Sequence, residues 1–284
     1  MPKMRLRHIL PALLASTLLA TPAVGEPAPA GSTLQLGYAI AFLAIPFGHT
    51  DYDGTLAANS YSAKVHFETF GLVSMFWNSA IDATVNGGIG THSISPAIYD
   101  SYSKDRDEPF ERVKVTFEND NPTTFADPPY DMTKYPVNDE QKKGAVDPMS
   151  AITSILAGVK ADAEHPCGAD VKVFDGRRRY DLTFAYLKDE PVKLGNGLFN
   201  GNAHLCQVTF NHIAGYKQKI VTQRQNFPKM FADFADIPAA GAPNGHYVVA
   251  VRLWSAQSLG TVTVTLDTIK VDGMAPLGMS AAKS

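Results

Sequence analysis

Apolar and polar residues alternate with a period of two along most of the chain. Leu34, Leu36, Tyr38, Ile40 and Phe42 alternate with small or polar residues. Tyr61, Ala63, Val65, Phe67 and Thr69 alternate with Ser62, Lys64, His66 and Glu68, and Val113, Val115 and Phe117 with Arg112, Lys114, Thr116 and Glu118. The same period returns at Leu182, Phe184 and Tyr186, at Val208 and Phe210, at Tyr247, Val249, Val251 and Leu253, and at Val262, Val264 and Leu266. One apolar and one wet face per strand predicts an antiparallel sheet, because parallel strands are buried on both faces. Asn86-Gly87, Asn196-Gly197, Asn200-Gly201 and Asn244-Gly245 are hairpin dipeptides. A two-residue turn at Asp175-Gly176 would pair Phe174 with Arg177, Val173 with Arg178 and Val171 with Tyr180. That register puts Val171, Val173, Arg178, Tyr180, Leu182, Phe184 and Tyr186 on one face, and solvates Arg177 and Arg179 on the other.

One helix interrupts the strands. Asp147 is an N-cap residue followed by Pro148 at the first helical position. Met149, Ile152, Ile155, Leu156 and Val159 follow at helical spacing and predict an apolar stripe lying against the sheet, with Gly158 near the stop. Between Asn119 and Lys143 the chain is polar and proline-rich, with Pro122, Pro128, Pro129 and Pro136, which predicts a long loop or flap. The fold class predicted from these residues is mainly β: an antiparallel sheet with one main helix lying against it. With no linker dividing the chain, residues 33–272 are expected to form one domain, between a disordered tail at 26–32 and a flexible tail at 273–284.

The N-terminus changes the picture of where the chain works. Lys3, Arg5 and Arg7 precede an apolar run from Ile9 to Ala20, too short for a bilayer span. This predicts a signal peptide, residues 1–25, cleaved after Gly25 or alternatively after Ala30. Processing takes the formal charge from −3 to −6, since three basic residues leave. A mildly acidic domain argues against nucleic acid and anionic surfaces as partners. Cys167 and Cys206 are the only cysteines, and in an exported chain they are expected to pair.

Several segments resemble one known family when taken in order. They are Pro96 to Tyr99, Pro128-Pro129, Val146 to Ile152, Cys167, Val173 to Leu182, Cys206 and Ile213 to Tyr216. The series is similar to DUF3108, a family of exported proteins from alphaproteobacteria. The resemblance implies a curved, incomplete β-barrel wrapped on a helix and a periplasmic location. The periplasmic lipoprotein carriers of the Lol system share that architecture and hold acyl chains in an apolar concavity. This chain lacks the lipid-anchoring cysteine of their outer-membrane member.

Candidate chemistry is sparse. His66 and Glu68 share a strand face, but the polar one. His204 stands two residues before Cys206, whose sulfur the disulfide occupies. His49, Asp51 and Asp53 read as a polar loop before Gly54, without the twelfth-position acid of a calcium loop. No nucleophile-elbow, phosphate-loop, zinc-protease or dinucleotide fingerprint is present. No catalytic residue, metal or cofactor is therefore assigned, and an enzyme ranks last. An apolar stretch (Phe70, Met75, Phe76, Trp77) and further aromatics (Tyr99, Tyr102, Phe110) fit either a filled core or a cavity. Under the cavity reading Arg178, Tyr180, Phe184 and Tyr186 are the candidate ligand residues, with the guanidinium of Arg178 at the rim. The partners expected are a lipid or lipoprotein acyl chain, or alternatively an envelope protein docked on the 119–143 loop.

Overall fold

The computed structural model describes residues 31–71, 74, 78–105, 110–118, 121–222, 229–257 and 260–272. The strands are β1 (Ser32–Phe42), β2 (Ile45–Leu56), β3 (Ser60–Thr69), β4 (Ser79–Gly90), β5 (Ser93–Asp105), β6 (Glu111–Glu118) and β7 (Asn121–Asp127), then β8 (Val171–Phe174), β9 (Arg179–Lys193), β10 (Asn200–Ala214), β11 (Met230–Pro238), β12 (His246–Gln257) and β13 (Gly260–Val271). The helices are α1 (Asp139–Lys142), α2 (Pro148–Leu156) and α3 (Gln218–Thr222). All thirteen strands form one sheet in the order β7-β6-β5-β4-β3-β2-β1-β13-β12-β11-β10-β9-β8. Every neighbouring pair is antiparallel. The expected fold class is the one observed.

The first and last strands lie side by side at the centre of the sheet, and the middle of the chain supplies both edges. The chain leaves one edge at β7 and re-enters at the other at β8. The segment between them carries α1 and α2, so the main helix lies on a path joining the two edges. The edges approach without closing a ladder. Gly176, in the β8–β9 turn, has φ +95°, and a Cβ there would stand 2.6 Å from Val113 Cγ1 of β6. Glycine satisfies both the backbone angle and the close approach. Arg179 is 3 % exposed and fastens the same junction. Its guanidinium donates to Gln141 O at 2.8 Å and to Asp181 Oδ1 at 2.6 Å.

Helix α2 sits toward the end of the sheet opposite the β1–β2 turn. Tyr61, at the start of β3, meets the Ser150 hydroxyl at 2.5 Å, and the Asn244 amide of the β11–β12 turn donates to Ala157 O at 3.0 Å. Burial follows that placement along the strands. Leu34 and Leu36 of β1 are buried, whereas Tyr38, Ile40 and Phe42 are half-buried; Leu266 of β13 is buried, whereas Val264 and Val262 are half-buried. The helix thus floors one half of the trough. On β12, Tyr247, Val248 and Val249 are all buried, so that strand is covered on both faces. The tip of the β9–β10 hairpin crosses two strands to supply contact there: Asn196 donates to Leu266 O of β13 at 2.8 Å.

Several local expectations are corrected. His49, Asp51 and Asp53 lie on strand β2, not in a loop; His49 Nε2 meets Asp51 at 3.1 Å and its Nδ1 meets Asp267 at 3.5 Å. Asn86-Gly87 is a β-bulge within β4, where a Cβ on Gly87 would strike Pro96 Cα at 2.8 Å, and Asn200-Gly201 opens β10. Asn196-Gly197 and Asn244-Gly245 are turns, with Gly197 and Gly245 at positive φ. The 119–143 stretch contains the edge strand β7 and α1, so the loop proper is shorter. Ser32, assigned to the tail, is buried in β1. Residues 1–30, 273–284 and Met75 to Trp77 lie outside the described residues.

Candidate functional site

The α2 helix is turned so that its polar side is buried. Asp147 caps it, accepting the Ser150 N–H at 2.9 Å and the Ser150 hydroxyl. Tyr61 adds its hydroxyl to Ser150, and Tyr52 meets Thr153 Oγ1 at 3.0 Å. Thr153 in turn donates to Met149 O at 2.9 Å. Burial pushes the phenols of Tyr52 and Tyr61 well above their ordinary value, and lifts Asp147 to about 6 against hydrogen bonds from Ser150 that pull it down. A buried polar group costs stability unless it is bonded, and these are bonded to one another.

The apolar residues one step round the helix face open space instead. Ile152 is 43 % exposed, in the middle of a folded domain. Together with Ile155 and Leu156 it floors a cavity of about 260 Å³ whose walls include Leu36, Tyr38, Phe184, Val208, Phe234 and Leu253. The walls come from β1, β2 and β9–β13 on one concave face. Dry apolar cavities of about 150 Å³ bind small apolar molecules, and ligand pockets run upward from about 300 Å³. The cavity lies between those sizes, large enough for a small apolar molecule or part of an acyl chain, and has no charged side chain in its lining.

The four residues expected to meet a ligand separate. Phe184 lines the cavity and stands edge-on to Phe234, ring centroids 6.1 Å apart. Tyr180 shares its strand but stacks on Phe210 at 4.1 Å. Tyr186 is 42 % exposed and leaves the site: it stands opposite Cys206, where the Cys167–Cys206 disulfide fills the inner position. Arg178 is not on the apolar face. The β8–β9 loop is two residues longer at its closing pair, Phe174 with Arg179, so Arg178 falls in the turn, exposed, over the Tyr216 ring at 5.7 Å. The arginine held inside is Arg179, expected to be solvated; Arg177 is exposed as expected. Sequence reasoning missed Leu36, Tyr38, Phe234 and Ile152 as cavity residues. Alternation marks Leu36 and Tyr38, and helical spacing marks Ile152, as apolar-face positions, which does not distinguish core from cavity lining; Phe234 lies in a strand without clear alternation.

A second, polar cleft adjoins Tyr186 and includes Asp189, His204, Asp236 and His246. His204 Nδ1 meets Asp189 at 2.6 Å and its Nε2 faces Asp236 at 3.5 Å, while His246 Nε2 stands 3.7 Å from Asp236. The hydrogen bond from His204 holds Asp189 below the usual carboxylate range. Among the described residues no group of three or more His, Cys, Asp or Glu is arranged to hold a metal ion. No helix among them is long and apolar enough to cross a membrane.

No curated protein matches the chain. Among solved structures it is similar to a β-barrel-like protein of the domain of unknown function DUF1849 from Brucella abortus, at 9% identity, over 85% of this chain and 98% of that one, with a TM-score of 0.48. The family model described as protein of unknown function (DUF3108) matches residues 37–234. That span takes in the cavity floor, both cysteines and the β8–β9 junction, and on it the chain belongs to the DUF3108 family.

Proposed function

We propose that the protein is an exported, non-enzymatic envelope protein that holds an acyl chain, or a ligand of like polarity, in the trough above α2. The observation that carries this is the orientation of the helix. Amphipathic helices bury their apolar stripe; here Ser150 and Thr153 are buried while Ile152 stands half-open to an apolar cavity. Each methylene entering from water contributes about 0.8 kcal/mol, which supplies affinity without a charged anchor. The periplasm suits the disulfide and the basic-then-apolar N-terminus.

A fluorescent fatty acid whose emission rises in apolar surroundings tests this. The protein should bind it saturably and release it to unlabelled palmitate. Ile152→Asp places a carboxylate on the floor and should weaken binding about tenfold or more, with little change in melting temperature because the position is already part-exposed. Absence of saturable binding, or equal binding by I152D, would overturn the reading. A second reading, a scaffold that docks an envelope protein, is favoured by the exposed Phe110 and Phe125 near the β6–β7 edge. Crosslinking through those side chains would then trap a specific protein whether or not Ile152 is changed.

A further inference from the structure

The β1–β2 hairpin tip breaks two rules at once. Its two turn residues, Leu43 and Ala44, have φ of +50° and +64°, a conformation for which Asn-Gly is the favoured pair. Leu43 is also 58 % exposed, and Ile45 beside it 59 %. The tip is nevertheless held firmly: Leu43 N–H donates to Thr261 O at 3.0 Å, and Phe70 N–H to Phe47 O at 2.8 Å. Large apolar side chains displayed on a braced turn call for an apolar partner.

The surroundings say which partner. In sheet order, the strands around this tip are β4, β3, β2, β1, β13 and β12. The sequence carries no Asp, Glu, Lys or Arg between Glu26 and Asp51, between Glu68 and Asp82, or between Arg252 and Asp267. Those are the three connections at this end of the six strands. Farther along the same end, the β8–β9 turn and the β10–β11 connection present Arg177, Arg178, Lys217, Lys219 and Lys229, all exposed. No acidic residue occurs from Gly201 to Ala232, and Asp175 of the neighbouring turn is occupied by the Arg177 and Arg178 N–H groups at 2.9 and 2.6 Å. On the other side of the tip the sequence around the β5–β6 connection mixes Lys104 and Arg106 with Asp105, Asp107, Glu108 and Glu111, so the cations lie on the β8–β11 side. An uncharged apolar tip with cations along that side matches the interface of an anionic bilayer, where apolar side chains enter the acyl boundary and cations meet headgroups. The tip is also continuous with the trough. Ile40 pairs with Val264 and Phe42 with Val262 on the face that leads down to Tyr38 and Leu36.

We infer that this rim is a membrane-docking surface, with Leu43 and Ile45 inserted into an anionic bilayer and the basic turns on its headgroups. The inference goes beyond the acyl-binding reading and stands without it. The chain as a whole is net negative, so docking on an anionic bilayer rests on the basic turns of this end and runs against the expectation from net charge alone.

Co-sedimentation with vesicles of phosphatidylethanolamine and phosphatidylglycerol, against vesicles of phosphatidylcholine, tests it. The protein should partition onto the anionic vesicles and less onto the neutral ones, with salt weakening the difference. L43D/I45E should lose about tenfold or more of that partitioning. L43N/A44G supplies the dipeptide the turn favours, so it should fold at least as well as the parent and still bind vesicles more weakly. I152D should partition like the parent, which separates this surface from the cavity. No partitioning by the parent, unchanged partitioning of both tip variants, or loss with I152D alone would overturn the inference. So would a tip crosslinked to a protein by a chain that ignores vesicles.

Discussion

Asp147 is fully buried at the N-terminus of α2, and burial holds it at about 6 against an ordinary 3.8. A carboxyl raised on folding favours the fold in its protonated form. Its stabilising protonation is complete below 3.8, is lost as pH rises through about 6, and contributes nothing more above that. Across that window the loss is roughly 3 kcal/mol. Asp147→Asn keeps an oxygen for the Ser150 N–H and caps comparably. Between about pH 4 and pH 7 the parent should lose melting temperature relative to D147N; parallel curves would refute the assignment. The capping role of Asp147 was legible from Asp-Pro alone, but not the Tyr61 hydroxyl that bonds Ser150 behind it, because Tyr61 comes from the distant strand β3. Arg178 and Arg179 exchanged roles for a similar reason. Asp175 Oδ1 takes the N–H groups of both Arg177 and Arg178, an Asx-type turn that lengthens the loop, while Gly176 is packed on β6. Dipeptide identity does not encode that packing.

At the scale of elements, strands with clear apolar alternation were readable, whereas β2, β4, β5, β7 and β11 were not, and β2 shows why. Its inward positions from Gly48 to Gly54 hold Gly48, Thr50, Tyr52 and Gly54, so a single large apolar side chain marks the face. The helix was readable in position, and Met149, Leu156 and Val159 of its stripe are buried as expected, whereas Ile152 is not. Its apolar stripe suggested packing on the sheet, but the phenols of Tyr52 and Tyr61 draw Ser150 and Thr153 inward and leave Ile152 to the cavity. The Cys167–Cys206 link then holds the segment after α2 against β10, beside Phe234 and Val248. Closing a loop of 39 residues removes unfolded-state freedom, and the double change C167S/C206S should lower unfolding free energy by about 3–4 kcal/mol in urea. An unchanged midpoint would mean that the segment is held without it.

For the whole molecule, alternation and helix spacing were enough for an antiparallel sheet with one helix against it, and the family resemblance supplied the curvature. They did not say that β1 and β13 meet at the centre, or that the crossing from β7 to β8 carries the floor of the trough. Those follow from which strands pair, and pairing register is set by bulges such as the one at Gly37/Tyr38 and by contacts between remote edges. The same arrangement places an apolar cavity beneath an apolar rim at one end of the sheet. The most direct test is native mass spectrometry of the protein purified from the bacterial envelope without detergent exchange. The expected result is a chain carrying one acyl-bearing molecule, displaced by added fatty acid and missing from I152D. Bare polypeptide in both preparations, taking up no fatty acid, would contradict a ligand site above α2.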